Sequence, residues 1–251
     1  MGQKENVKIF SVPFTIIITF HQSLMRKFLV IFLLIILNSI SLGYTIHTEA
    51  DDYLAQPVNS FQVKNSTLYD AIKKLCKEQK IRICMEDKRN YSAITNEAIA
   101  EKHITTQFKS TNVMIILNNI CKMDSTYFWE YSRDGLLNVL PRSTTLGTYD
   151  NSTLNWVMSG FKIMTSSVQF ICSPDFPYGI SLKQYGMNID WEKSTTSTNI
   201  ATRLLTINLP PATGRDGLNS IVKSSGRNYL WHLYWKNQKP IIEFQQAFPY
   251  P

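Results

Sequence analysis

Three things are scarce in this sequence: histidine, paired cysteines and glycine-rich loops. There are four histidines, His21, His47, His103 and His232, and no HExxH. A helical zinc-protease site needs two histidines one turn apart with a glutamate between them, so that chemistry has no carrier here. Four cysteines occur, Cys76, Cys84, Cys121 and Cys172, without a CxxC, and the spacing of Cys76 and Cys84 is not a zinc signature. Glycine appears ten times, never as GxGxxG or a phosphate loop, and Gly214 and Gly217 form only a lone pair near a helix start. Carboxylates neighbour one another at Asp51 and Asp52, Glu86 and Asp87, and Asp190 with Glu192. Acid–base work needs such a group to have a positioned partner, and the sequence offers none. The expectation is no catalytic set, no metal and no cofactor.

What is present is ordinary globular material, 44% hydrophobic and 18% charged. The formal charge of +7 is spread out, with Lys4, Lys8, Arg26 and Lys27 against Glu5 accounting for +3 of it. A weakly basic surface suits acidic partners or anionic envelope surfaces, and equally a plain solvated exterior. Lys73, Lys77 and Lys80 share a helical face with Arg82 beyond. They read as a solvated back face rather than a nucleic-acid stripe.

Met25 opens a segment with the features of a secretory signal. Arg26 and Lys27 form its positive start, Phe28 to Leu37 its apolar core, and Ser41 and Gly43 its small-residue cleavage site. The core is short for a membrane span. Residues 1–24 are expected to be an upstream extension, 25–43 a signal peptide cleaved near Gly43, and the product exported, periplasmic or extracellular. The rival reading is an uncleaved membrane anchor. In an oxidising compartment the four cysteines allow three disulfide pairings or none. Asn65, Asn90 and Asn151 begin N-x-S/T sequons, which matter only in a eukaryotic secretory pathway.

The strongest signal is an internal repeat. Gln62-Val63-Lys64-Asn65-Ser66-Thr67-Leu68, with Ala71, Ile72, Leu75 and Cys76, returns 45 residues later as Gln107 to Val113 with Ile116, Leu117, Ile120 and Cys121. Each copy alternates like a strand and then becomes apolar at i, i+3, i+4, i+7 and i+8, one face of a helix. Ser66 and Thr111 stand at the expected N-caps. Lys80 to Cys84 and Ser125 to Tyr131 read as following strands. Arg133-Asp134-Gly135 reads as a hairpin turn, and Leu136 to Leu140 returns to Pro141. Two further copies start near 161 and 207. The first has a helix shortened by Pro174 and Pro177. The second carries Leu218-Asn219-Ser220-Ile221 and Tyr229-Leu230-Trp231-His232, matching Leu117 to Ile120 and Tyr127 to Glu130. It closes with a turn at Lys236 to Lys239 and a strand at Ile241 to Phe244. Copies one and two make a first module, 44–142. A linker spans 143–153, and copies three and four make a second, more divergent module, 154–251.

These residues resemble the short N-terminal (STN) domain shared by secretins and TonB-dependent transducers. Phe61 to Leu68 with Ala71, Ile72 and Leu75, Thr106 to Phe108 with Ile116, Leu117 and Ile120, and the hairpin Tyr127 to Leu140 carry the likeness. It covers 55–142 well and 154–246 more loosely. The resemblance implies an α+β fold of two tandem modules, each of two βαβ-type repeats with amphipathic helices packed on small sheets. It implies contacts with other envelope proteins and no catalytic residue. No barrel strands follow before Pro251, so a free-standing adaptor is the expected form. The alternatives are a structural subunit of a secretion or pilus assembly and a secreted enzyme of unknown type. The expected partner is another envelope protein, not nucleic acid, with membrane contact only through an uncleaved signal. Trp129, Tyr131, Trp231, Tyr234 and Trp235 are the candidate contact or module-packing aromatics.

Overall fold

The computed structural model describes residues 49–90, 97–132, 135–142, 153–197, 199–226 and 228–248. The signal segment, His21, His47, Arg133, Asp134 and linker residues 143–152 lie outside the described residues. Among the described residues the chain is α+β, with seven α-helices and several small sheets.

The first half runs α1 (Glu49–Ala55), β1 (Pro57–Ser66), α2 (Leu68–Gln79), β2 (Ile83–Glu86), β3 (Ile104–Asn112), α3 (Val113–Met123), β4 (Tyr127–Tyr131) and β5 (Leu137–Pro141). The second half runs β6 (Val157–Met158), β7 (Phe161–Ser167), α4 (Val168–Ile171), α5 (Pro177–Gln184), β8 (Asn188–Ile189) and α6 (Trp191–Ser197). After a 3₁₀ turn at Ile200–Thr202 it continues as β9 (Leu204–Leu209), β10 (Ala212–Thr213), α7 (Gly214–Ser225), β11 (Tyr229–Lys236) and β12 (Lys239–Gln246).

Strands β1, β3 and β7 each run straight into a helix, and at each step one hydroxyl or amide side chain takes the N–H three residues on. Thr67 accepts from Asp70, Asn112 from Ile115, and Ser167 from Phe170. Thr213 at the head of α7 does the same in a full capping box with Asp216. The caps of α2 and α3 are therefore Thr67 and Asn112, each one residue later than the expected Ser66 and Thr111. The reason is a backbone step at the end of each strand. Asn65, Ser110 and Thr165, which are equivalent positions of the repeat, all sit at positive φ, 48°, 47° and 54°. The antiparallel register of β1 with β3 slips between Val63 and Ser66, and that of β7 with β9 between Ile163 and Ser166. An inserted residue of this kind is a β-bulge, present at Asn65 and Thr165, whereas the register of β1 with β3 runs unbroken past Ser110.

Other boundaries move for local reasons. Lys80 does not begin a strand. It ends α2 in the left-handed conformation, its N–H returning to the Cys76 carbonyl, so β2 starts only at Ile83. In the third copy Val168–Ile171 is a single turn, and Pro177 then starts a fresh helix at its first position, where a missing N–H costs nothing. At the β11–β12 hairpin, Asn237 and Gln238 both take positive φ, as a two-residue turn between right-twisted strands requires.

The central sheet has six strands in the order β4-β5-β2-β11-β12-β8. Three come from each half, and the pairings repeat. β4 and β5 are antiparallel and β5 runs parallel to β2; β11 and β12 are antiparallel and β12 runs parallel to β8. The halves meet where β2 pairs parallel to β11, Met85 beside His232 and Glu86 beside Leu233. Laterally paired residues share a face. One face therefore carries Trp129, Val139, Met85 and His232, and the other Glu130, Asn138, Glu86 and Leu233. Helices α2 and α3 cover the first face and α7 the second. The contacts that fix this are Tyr69 on His232, Trp129 on Asn118, and Trp231 on Asn219. The small sheets β1–β3 and β7–β9 pack on the outer sides of these helices, burying Phe61, Val63, Ile163 and Ile207. Gly214 and Gly217 are packing positions, since a Cβ there would meet the rings of Trp156 and Tyr178 at 2.4 Å.

Candidate functional site

Arg82 shows how the halves are held. It is buried at 2% exposure, and its Nη1 donates to the carbonyls of Val222 and Gly226 at the C-terminal end of α7. Those carbonyls are the negative end of the helix dipole. The expected place of Arg82 on a solvated basic face is therefore wrong: strand alternation turns it inward, away from Lys73 and Lys77 on α2. Glu130 accepts from Arg215 and Glu86 from the N–H of Thr153 on the same face of the sheet.

On the other face the seam opens into a cleft of about 340 Å³. Its floor is Ile72 and Cys76 of α2, Ile83 and Met85 of β2, and Leu230 of β11, all buried. Its wall is polar. The ring of His232 lies flat on Tyr69, centroids 3.9 Å apart and planes 9° apart, and Nε2 stands 2.9 Å from Oδ2 of Asp87. The Tyr69 oxygen sits 2.9 Å from Oε1 and 2.7 Å from Nε2 of Gln245, so phenol and amide hold one another. Burial pushes the Tyr69 phenol up to about 12, partly offset by the Gln245 bond, which keeps it a proton donor at neutral pH. Glu243, paired across the hairpin with His232, also lines the cleft and reaches Lys193 at 3.9 Å. Burial raises the Cys76 thiol to about 12, so the sulfur in the floor is a packing atom rather than a nucleophile.

Of the neighbouring carboxylates named above, Glu86 and Asp87 part company. Glu86 is buried towards α7, while Asp87 lies on the opposite face, bonded to His232. Asp51 accepts from the Tyr131 hydroxyl. Asp190 accepts from the Lys193 N–H, which holds it below its ordinary value, and from Tyr234. Among the described residues His103 meets the Asn65 carbonyl. The cleft residues run from Tyr69 to Phe248, and nothing in the sequence places Tyr69 beside His232. Lys73, Tyr69 and Cys76 were legible as one helix, but their partner strand was not.

The candidate aromatics divide. Trp231 is fully buried and donates to Asn219 at 2.8 Å, and Trp235 is buried, donating to the Asp87 carbonyl at 3.1 Å across the seam. Tyr234 bonds Asp190 and stacks beside His232. Trp129 is half-buried and Tyr131 exposed, both on β4 at the end of the central sheet.

That edge has a counterpart inside the molecule. Thr126 accepts from Arg142 and Leu136 from Ser132, so the even-numbered residues of β4 bond β5 and the backbone of Tyr127, Trp129 and Tyr131 faces outward. At Tyr127 that backbone is already taken, its N–H by the Asp124 carbonyl and its carbonyl by Arg142 Nε at 3.1 Å. Their repeat equivalents on β11, Tyr229, Trp231 and Leu233, face β2, where the Leu233 carbonyl accepts from Asp87. The edge that β11 gives to β2 thus meets no further strand on β4 at Trp129 and Tyr131 among the described residues. A groove lined by Asn118, Cys121 and Lys122 of α3 with Phe128, Trp129 and Arg142 runs over it, touching both faces of β4. At the far side, α6 closes the sheet: Ser194 accepts the Phe244 N–H, and Asp190 ends β8 by capping the helix.

Among the described residues no three His, Cys, Asp or Glu side chains are grouped to hold a metal ion, and no helix is long and apolar enough to cross a membrane. Set against known proteins, the chain matches no family model, no curated protein and no solved structure.

Proposed function

We propose that the chain is an exported, non-enzymatic binding protein of the bacterial envelope, built from two STN-like modules, which captures an extended segment of another envelope protein on β4. The observation that supports this reading is the asymmetry of the sheet edges. An aromatic edge that one half fills with its neighbour's strand is left without a strand at Trp129 and Tyr131 on the other, while α6 occludes the opposite end. Strand addition gives affinity through the backbone and selectivity through alternate side chains, and needs no catalytic group. The partner strand runs parallel to β4, as β2 runs to β11. Photocrosslinkers at Trp129 or Tyr131 are expected to trap a discrete envelope protein in the native cell, and one at Lys162 on β7 is not. Adducts of equal yield at all three positions would overturn the reading.

A second reading, a secreted enzyme, is favoured by the meeting of His232 with Asp87 and Glu243 beside the cleft. It stands on turnover of a small-molecule substrate that His232→Ala abolishes.

A further inference from the structure

The cleft at the seam has an apolar floor and a mouth whose charges do not cancel. Its acidic lining residue, Glu243, has the Lys193 ammonium at 3.9 Å. Its basic groups are not matched in this way. Lys74 pairs with Glu78 along the outer side of α2. Lys73 and Lys77 line the cleft, also one turn apart, and neither has an ion pair among the described residues. Like charges at that spacing repel. Lys73, an exposed residue, has its Nζ 5.5 Å from the centroid of the Tyr69 ring at the wall of the cleft. Below this pair lie Ile72, Cys76, Ile83, Met85 and Leu230, which offer no polar side chain. The volume of about 340 Å³ stands at the small end of ligand cavities.

We propose that this cleft binds a small amphipathic carboxylate, with the carboxylate between Lys73 and Lys77 and an unbranched apolar tail on the floor. The Tyr69–Gln245 pair marks the boundary between the two environments, since one partner of a mutually satisfied phenol and amide is free to turn to the headgroup. The site is built from α2, β2, β11 and β12, so its ligand bridges both halves. It lies apart from the β4 edge, and neither assignment depends on the other.

The probe is decanoate, kept below its micelle concentration and titrated calorimetrically into the purified chain, with decanol and decyltrimethylammonium as neutral and cationic counterparts. Decanoate is expected to saturate one site, and the other two to bind weaker by at least about tenfold. Lys73→Glu combined with Lys77→Glu changes two exposed positions and leaves the circular dichroism spectrum intact, and is expected to weaken decanoate by a similar factor. Met85→Trp fills the floor and abolishes binding of all three. No heat from decanoate, equal affinity for the three probes, or unchanged decanoate binding in the lysine variant would each overturn the proposal.

Discussion

Trp129 and Trp231 each donate their indole N–H to an asparagine on the preceding helix, Asn118 at 2.9 Å and Asn219 at 2.8 Å. The same pair of residues, repeated at a shift of 101 to 102 positions, makes the same bond, exposed in one half and buried in the other. The cysteines follow a similar rule. Cys76 and Cys121 are equivalent residues of the repeat, and both are free thiols, buried on the apolar faces of α2 and α3. Burial raises both from 9.0 to about 12. An unfolded thiol loses its proton above pH 9 while the folded one keeps it, so the unfolded state binds fewer protons and stability falls as pH rises from 9 towards 12. Below pH 9 the contribution is fully present. Cys→Val at both sites is expected to cost less than about 1.5 kcal/mol at neutral pH. It should also flatten the decline between pH 9 and 10, to which the tyrosines contribute alike in both proteins. Urea unfolding of the two proteins at both pH values decides it: an unchanged slope, or a large loss that reductant reproduces in the parent protein, contradicts the assignment.

At the scale of the element, the positive-φ step at Asn65, Ser110 and Thr165 is the feature the residue pattern concealed. Asparagine tolerates positive φ, but serine does so less readily and a β-branched threonine is an outlier there. The strand-to-helix step imposes the conformation because the helix caps and the paired strand fix both sides of it. Strain of this kind costs about 1–2 kcal/mol at a residue with a branched Cβ, against about 0.5–1 kcal/mol of added unfolded-state entropy for glycine. Thr165→Gly is therefore expected to stabilise the fold, and Asn65→Gly to do so less or not at all. Chemical denaturation of the two variants gives the ranking, and the reverse order would show that the threonine is not strained.

At the scale of the whole molecule, the seam is a head-to-tail contact. The β2 edge of one three-stranded sheet meets the β11 edge of the next, with strand direction and faces both reversed. Such contacts propagate unless something closes them. Here α6 does so, because its Ser194 takes an edge N–H of β12 and its start at Asp190 cuts β8 to two residues. Replacing Trp191–Ser197 with a glycine–serine linker is expected to expose that edge to β4 of another copy. Light scattering should then show mass growing with concentration, and Trp129→Pro in the same chain should suppress it. A strict monomer at every concentration would mean that α6 guards nothing.

The sequence by itself determined the four strand-to-helix steps and the aromatic hairpins, because both rest on local periodicity and capping that each segment carries with it. It placed Thr67 and Asn112 only to within one residue, since a positive-φ step leaves no compositional mark when Ser110 and Thr165 occupy it. The joining of β2 to β11 was decided in three dimensions. Backbone edges carry no side-chain code, so nothing in Met85 or His232 names its neighbour. From that joining followed the burial of Arg82 against α7, the stacking of Tyr69 on His232, and the cleft between them. Each depends on residues more than a hundred positions apart that meet only after both halves have formed their helices and sheets.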